Sequence, residues 1–440
     1  MAEVIPFQGV RYNPALISDM AAVVAPPYDV ISPKEQIAFH ERHPNNVIRL
    51  ILGQVKPEDH SGDNVHLRAG RYFQQWLSEK ILVPDAKPTF YLTTVDFSSN
   101  GHAYQRLGLI GRVRLEPFDK GIILPHERTF SKVKSERLML MKACHANFSP
   151  IFGLYADGND ILDSLRAITQ QQSPATDIID DKGHRQRLWC LTEEKTTRAL
   201  TAFFSTRRIY IADGHHRYET ALNYRNWVKE NTSGFSSDHP ANFVLMSLSS
   251  MVDPGMVILP AHRLLKQLPT EDVSALLQKL AEYFQILPVS VDKGLHDAVA
   301  AFNQLLEQNA QRHAIGLYAK DRSIFQVMVL KEGVMDRLFK GQIEPALRDL
   351  DVTVLTHLIM MELMGFDQAR LDDETKIAYR TNSKDAVAAV NEGEAALAFI
   401  LNPTKIEQVQ RVAESGLIMP RKSTYFYPKV ISGQVFNLLR

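Results

Sequence analysis

The apolar positions of this chain fall into short alternating or continuous runs broken by longer stretches with helical spacing. Ile5–Val30 reads as a short strand followed by a loop stiffened at Pro26-Pro27. Ser32, Pro33 and Glu35 then carry the signature of a helix start: a hydroxyl cap, proline at the first helical position and a capping-box glutamate. Asn46–Gly53 (NVIRLILG) is strand-like. Asn64–Glu79 places Leu67, Tyr72, Phe73, Trp76 and Leu77 on one helical face, with Trp76 assigned to the core. Lys87–Ser98 and Tyr104–Leu115 read as antiparallel strands about the turn Ser98–Gly101. Asn147–Ala156 reads as loop then buried strand, Gln170–Ala175 as a connection, Arg187–Leu191 as a short strand and Asn242–Ser249 as a buried strand. From about Leu264 the texture changes. Helices over Glu271–Phe284 and Gly294–Gln308 alternate with strands over His313–Tyr318 and Ile324–Val329. A helical stretch, Leu347–Met364, and a strand, Ala395–Leu401, follow. The pattern predicts an α/β (α+β) protein, with a site-bearing domain over 1–263 and a second α/β domain over 264–440 that ends in a polar aromatic tail.

One stretch concentrates chemistry. Ile209–Leu222 reads IYIADGHHRYETAL: an apolar strand, the turn dipeptide Asp213-Gly214, then His215, His216 and Arg217 at the head of a helical pattern. A helix start offers backbone N–H groups without intrahelical partners at the positive end of the dipole. Arg217 adds a five-donor fork. Gly214, His215, His216 and Arg217 are therefore candidate phosphate-binding residues. The alternative is a strand–turn–helix junction whose polar side chains only cap and solvate.

Other candidates are more dispersed. Tyr28 and Asp29 sit in the stiff loop before the first helix, where Asp29 either serves a site or caps the turn. Leu124–Leu138 (LPHERTFSKVKSERL) carries His126, Glu127, Arg128, Lys132, Lys134 and Arg137, with Ser135 as an expected helix cap; such a mixed charge run is also what a solvated helix face looks like. His262 and Arg263 either face a ligand or begin the next helix. Arg421 and Lys422 lie in the donor-rich tail MPRKSTYFYPKV, which either covers an anionic ligand or ties down the C-terminus.

Beyond the box, APPYDVIS (Ala25–Ser32), NVIRLILG, LPHERTFSKVKSERL, NFSPIFGLYAD (Asn147–Asp157), NFVLMSLSSMVDPGMVILPAHRLL (Asn242–Leu265) and MPRKSTYFYPKV together resemble a bacterial and archaeal family known as DUF1015. That resemblance spans nearly the whole chain and supplies no function. The DGHHRY box alone is similar to the phosphate-binding box of the ParB/sulfiredoxin superfamily, in which a Gly, a His or polar residue and an Arg open a helix and hold nucleotide phosphates. The superfamily includes sulfiredoxin, nucleotide-hydrolysing ParB proteins and a free-serine kinase. It implies a mixed-sheet core, a nucleotide such as ATP or ADP with Mg²⁺, and a small hydroxyl acceptor such as free serine. Sulfiredoxin chemistry needs a cysteine where this chain has His215 or His216.

Composition narrows these options. The 440 residues are 45% hydrophobic and 23% charged, ordinary for a globular protein. Lys+Arg and Asp+Glu are both 50, so bulk charge gives no reason to expect a nucleic-acid partner. Two cysteines without a CxxC, Cys144 and Cys190, read as reduced thiols of a cytoplasmic protein. No signal peptide is legible, and no run approaches the roughly 18 apolar residues that would span a membrane. Three function classes remain. The first is a kinase-type phosphotransferase, with Asp29, Glu127 and Asp213 as candidate proton acceptors and His216 assisting. The second is a metal-dependent hydrolase using Asp213, His215 and His216, which the opposed directions of adjacent histidines in extended backbone disfavour. The third is a nucleotide-binding module without turnover.

Overall fold

In the computed structural model the described residues are 1–129, 131–158, 160–267, 270–290, 295–319 and 324–440. Phe130, within the charged segment, and Gly294, the expected start of a helix, lie outside them. The chain forms two compact units: Met1–Pro125 with Thr129–Val257 and Pro428–Arg440, and His126–Arg128 with Ile258–Tyr427. The tail thus divides. Residues 428–440 are stitched into the first unit, where Phe436 bridges Val10, Ser432 bridges Ala25, and Asn437 pairs with Asn147.

The first unit is built on a nine-stranded mixed sheet. Its strands are β1 (Val4–Ile5), β2 (Phe90–Ser99), β3 (His102–Arg114), β4 (Ile123–Leu124), β5 (Ile151–Tyr155), β6 (Thr176–Ile179), β7 (Arg185–Leu191), β8 (Ile209–Asp213) and β9 (Phe243–Ser250). The order is β4-β8-β5-β9-β3-β2-β7-β6, with β1 on β3. β8 runs parallel to β4 and antiparallel to β5, and β9 runs parallel to β5. β2 and β3 form the expected hairpin: Ser99 faces His102 across Asn100 and Gly101, both at positive φ, the Asn-Gly turn whose twist matches the strands it joins. β5 and β9 are buried along their whole length, as continuous apolar runs require.

Helices α1 (Pro33–Arg42), α2 (Ile48–Ile51), α3 (Val65–Ser78), α4 (Ser131–Cys144) and α5 (His215–Asn231) also belong to this unit. Both halves of the predicted capping box start α1: Ser32 accepts from Glu35 N, and the Glu35 carboxylate accepts from Ser32 N. Asn64 caps α3 by accepting from His66 and Leu67 N–H groups, and Trp76 is core. Two readings are corrected. NVIRLILG is not a strand but a helical turn, because Asn46 accepts from Ile48 N and donates to Ala22 and Val24 carbonyls, closing the backbone locally. In so short an apolar run, burial on every side erases the periodicity that separates helix from strand. Ser135 is not the helix start but lies inside α4, which begins at Ser131.

The second unit holds a six-stranded antiparallel sheet in the spatial order Phe284–Pro288, Ile324–Leu330, Ala314–Ala319, Leu397–Leu401, His262–Leu265, Ile377–Arg380. His262 and Arg263 begin no helix; they lie in a buried strand, where His262 Nδ1 accepts from Leu401 N and Arg263 donates to the Ala261 and Arg421 carbonyls. These backbone bonds satisfy both side chains inside the fold. Neither cysteine forms a disulfide; Cys144 is buried and Cys190 half-buried.

Candidate functional site

The box folds as strand, glycine turn and helix. The register of β8 on β5 shifts between Ile211 and Asp213, an irregularity that re-aims the end of the strand. Gly214 then takes φ +95°, ψ 30°, and α5 starts at His215 without a side-chain cap. Glycine is needed here for two reasons. Left-handed backbone strains any L-residue, and a Cβ would come within 2.8 Å of Arg217 Nε. Gly214→Ala is expected to lower stability by about 1–2 kcal/mol from the backbone alone. Urea unfolding of the full chain checks this, and an unchanged midpoint would refute the constraint.

Asp213 is the hub of the turn. Its Oδ2 accepts from Arg217 Nη2 at 2.6 Å, and its Oδ1 accepts from Lys429 Nζ. Arg217 Nη1 also donates to the Pro150 carbonyl at 2.5 Å. The three side chains are 15% (Asp213), 12% (Arg217) and 13% (Lys429) exposed. Burial pushes the Asp213 carboxyl up, but Lys429 and Arg217 outweigh it and hold the group well below the usual carboxylate range. His215 is 2% exposed, and burial pushes it down to about 3 against the pull of Asp213, so its ring is neutral near pH 7. His216, half-buried, accepts from Thr220 Oγ1 through its carbonyl, 2.6 Å away. Both histidines belong to the first turn of α5, not to extended backbone.

A second group of residues gathers beside this turn. Tyr28 and exposed Asp29 occupy a single helical turn, Tyr28–Val30, just before α1. The Arg137 guanidinium carbon lies 4.2 Å from the Tyr28 ring centre, and Nη1 donates to Ile51 O at 2.7 Å. Burial raises the Tyr28 hydroxyl pKa, with Asp29, Arg217, Arg137 and Asp213 acting on it in turn. α4 packs on α5, where Lys134 pairs with Glu219 at 2.5 Å and Thr129 donates to the same carboxylate at 2.8 Å. Tyr28, Ile51, Arg137, Ser149 and Arg217 help to line a cavity of about 60 Å³.

Asp29, Asp213, Gly214, His215, His216 and Arg217 therefore share the first unit. Glu127, Arg421 and Lys422 belong to the second. There Arg421 donates to Asp372 O at 3.2 Å and pairs with Glu374, and Lys422 is exposed with φ +56°. Lys429 was not among the residues singled out from sequence. Its signal was present in the same tail motif, but its partner Asp213 lies 216 residues away, a pairing no local pattern encodes. Among the described residues no group of three or more His, Cys, Asp or Glu side chains is placed to hold a metal ion. None of their helices is long and apolar enough to cross a membrane.

The family described as "Protein of unknown function (DUF1015)" matches residues 4–353. No curated protein matches the chain. Among solved structures, a free serine kinase in complex with AMP is 13% identical, covering 74% of this chain and 91% of its own, with a TM-score of 0.35. A conserved hypothetical protein from Pyrococcus furiosus is 12% identical over 73% of this chain and 92% of its own, TM-score 0.34. SbnI with a C-terminal truncation, from Staphylococcus aureus, is 10% identical over 74% of this chain and 86% of its own, TM-score 0.34.

Proposed function

The chain belongs to the DUF1015 family, and we propose that its first unit binds a nucleotide by its phosphates at the Gly214–Arg217 turn and transfers a phosphoryl group to a small hydroxyl metabolite, free serine being the first to test. The charge at the turn carries this reading. One carboxylate, Asp213, is bonded to two cations, Arg217 and Lys429, so these three side chains sum to one positive charge where α5 directs its N-terminal end. Arg137 adds a further cation that makes no ion pair among the described residues. Phosphoryl transfer needs positioned positive charge more than covalent chemistry.

In the proposed reaction the acceptor hydroxyl oxygen bonds to the terminal phosphorus of ATP, the bond from that phosphorus to the bridging oxygen breaks, and ADP leaves. The hydroxyl proton passes to a carboxylate. Asp29 is assigned that role because it is exposed, whereas Asp213, held ionised by two cations, is a weak proton acceptor and is assigned to positioning Arg217 and Lys429. His216 is placed as a hydrogen-bond donor to phosphate. Glu127, Arg421 and Lys422 receive no role. Mg²⁺, when bound, neutralises phosphate oxygens; with no cage of protein ligands among the described residues, the phosphates, water and at most one or two carboxylates would hold it. The hydrolase reading gains no support from Asp213, whose two oxygens both face cations. We place the protein in the cytoplasm, a setting that suits its free thiols.

Thermal unfolding with ATP, ADP, CTP and GTP, each with Mg²⁺, tests the reading. One nucleotide is expected to raise the midpoint, since a ligand at about 100 times its dissociation constant adds roughly 2.7 kcal/mol to the folded state. Arg217→Ala is expected to weaken that nucleotide about 10- to 100-fold, the worth of one charge-assisted hydrogen bond. Unchanged affinity would remove the box from phosphate binding. Binding without serine-dependent ADP release would leave a nucleotide-binding module in place of a serine kinase.

A further inference from the structure

We propose that the cavity beside Arg137 binds the carboxylate of a compact organic acid. Three observations on the first unit lead there. First, among the described residues Arg137 has no carboxylate partner. It donates to Ile51 O and rests on Tyr28, while Asp29 and Glu136 act on it only from beyond ion-pair distance. A half-buried guanidinium without a counter-ion is costly, and an anion delivered to it removes that cost. Second, Arg137 lines the cavity together with Tyr28 and Ile51, the two residues its guanidinium touches. Third, the space is small and its lining is mixed. At about 60 Å³ it exceeds the roughly 10–15 Å³ that one water needs, which is room for a small group and not for a nucleotide. Arg137, Arg217 and Ser149 are among the cavity's polar side chains, and Leu140, Met141 and Ile151 among its apolar ones.

The mixed lining selects the ligand. A planar carboxylate matches the guanidinium fork through two parallel hydrogen bonds, and its short carbon chain can then lie against the apolar side chains. Inorganic phosphate is of similar size, but it would press polar oxygens against Leu140, Met141 and Ile151 without partners. Both Nη groups of Arg217 already bond to Pro150 and Asp213, which leaves it donors for a single phosphate contact, so Arg137 is the fork that meets the carboxylate. The inference rests on the phosphotransfer reading only for the role of this pocket, which there becomes the acceptor's carboxylate subsite. As a binding site it stands without that reading.

The test uses the full chain with no nucleotide present. Acetate, glycolate, L-lactate, L-serine and inorganic phosphate are titrated separately by calorimetry. At least one of the four carboxylates is expected to bind, and Arg137→Met is expected to weaken it about 10- to 100-fold. Arg137→Lys keeps the charge and loses the fork; about a 10-fold weakening is expected, and this variant decides the matter if Arg137→Met does not fold. Failure of all four carboxylates to bind the wild-type chain overturns the proposal. So does binding that Arg137→Lys leaves unchanged, or phosphate binding alone. Each of those results with the nucleotide shift retained would leave the phosphate site standing. Carboxylate binding with no nucleotide shift would remove the phosphate site and keep this one.

Discussion

Asp213→Ala is expected to destabilise the protein by about 3–5 kcal/mol, the largest effect of any single substitution in the box. The charge pattern gives the reason. Asp213 is the common partner of Arg217 and Lys429, and all three side chains are almost enclosed. With the carboxylate gone, two cations stay buried beside each other, and Arg217 keeps only its bond to the Pro150 carbonyl among those described for it. Desolvated charge without a partner costs far more than a surface pair contributes. The mutant should bring that stability back in part when Lys429 is also neutralised: the double variant Asp213→Ala with Lys429→Met is expected to be less destabilised than the sum of the two single variants. Urea unfolding at pH 7.5 of the wild type, both singles and the double supplies the cycle. Additive values would show that the three groups do not act as one buried unit, and the net positive charge assigned to the turn would lose its footing.

Acid is expected to weaken the fold well above the carboxylate range. His215 is pushed down to about 3 by burial, against about 6.5 for a free histidine. Between those values the unfolded chain takes up a proton that the folded chain refuses. Stability must then fall as pH falls from about 6.5 toward 3, at up to roughly 1.4 kcal/mol per unit and so by roughly 4–5 kcal/mol across the window. His262 in the second unit is also pushed down to about 3 by burial and needs a neutral ring to accept from Leu401 N, so that unit carries a loss of the same sign. Asp213 adds to the acid loss in the first unit: its depressed value contributes stability that is full above about pH 4 and declines below it. His313 acts oppositely. Its hydrogen bond to Asp351 raises it, so its contribution is present below about 6.5 and disappears as pH rises through the higher folded value. Urea midpoints at pH 7.5, 6, 5 and 4 should therefore decline from the first step down. His215→Asn should flatten the decline in the first unit. A midpoint constant to pH 5 in the wild type would show that neither histidine is held neutral by burial.

The sequence by itself determined the local pieces whose signals are short-ranged. Ser32 with Glu35, the Ser98–Gly101 turn and the strand–glycine–helix order of the box are each written within a few residues, because caps and turns are satisfied by neighbours in the chain. Long buried runs such as Phe243–Ser250 were legible for the same reason: an unbroken apolar stretch can only be interior. NVIRLILG was not, since four or five buried residues fit helix or strand equally and the decision lay with Asn46 and the carbonyls of Ala22 and Val24. The tertiary structure alone decided which charges meet. It brought Lys429 to Asp213, set Arg137 against a cavity and the Tyr28 ring, and assigned Arg421 and Lys422 to a different unit from the box. Charge pairing depends on distance through space and on the loss of water, and neither quantity is a property of position along the chain.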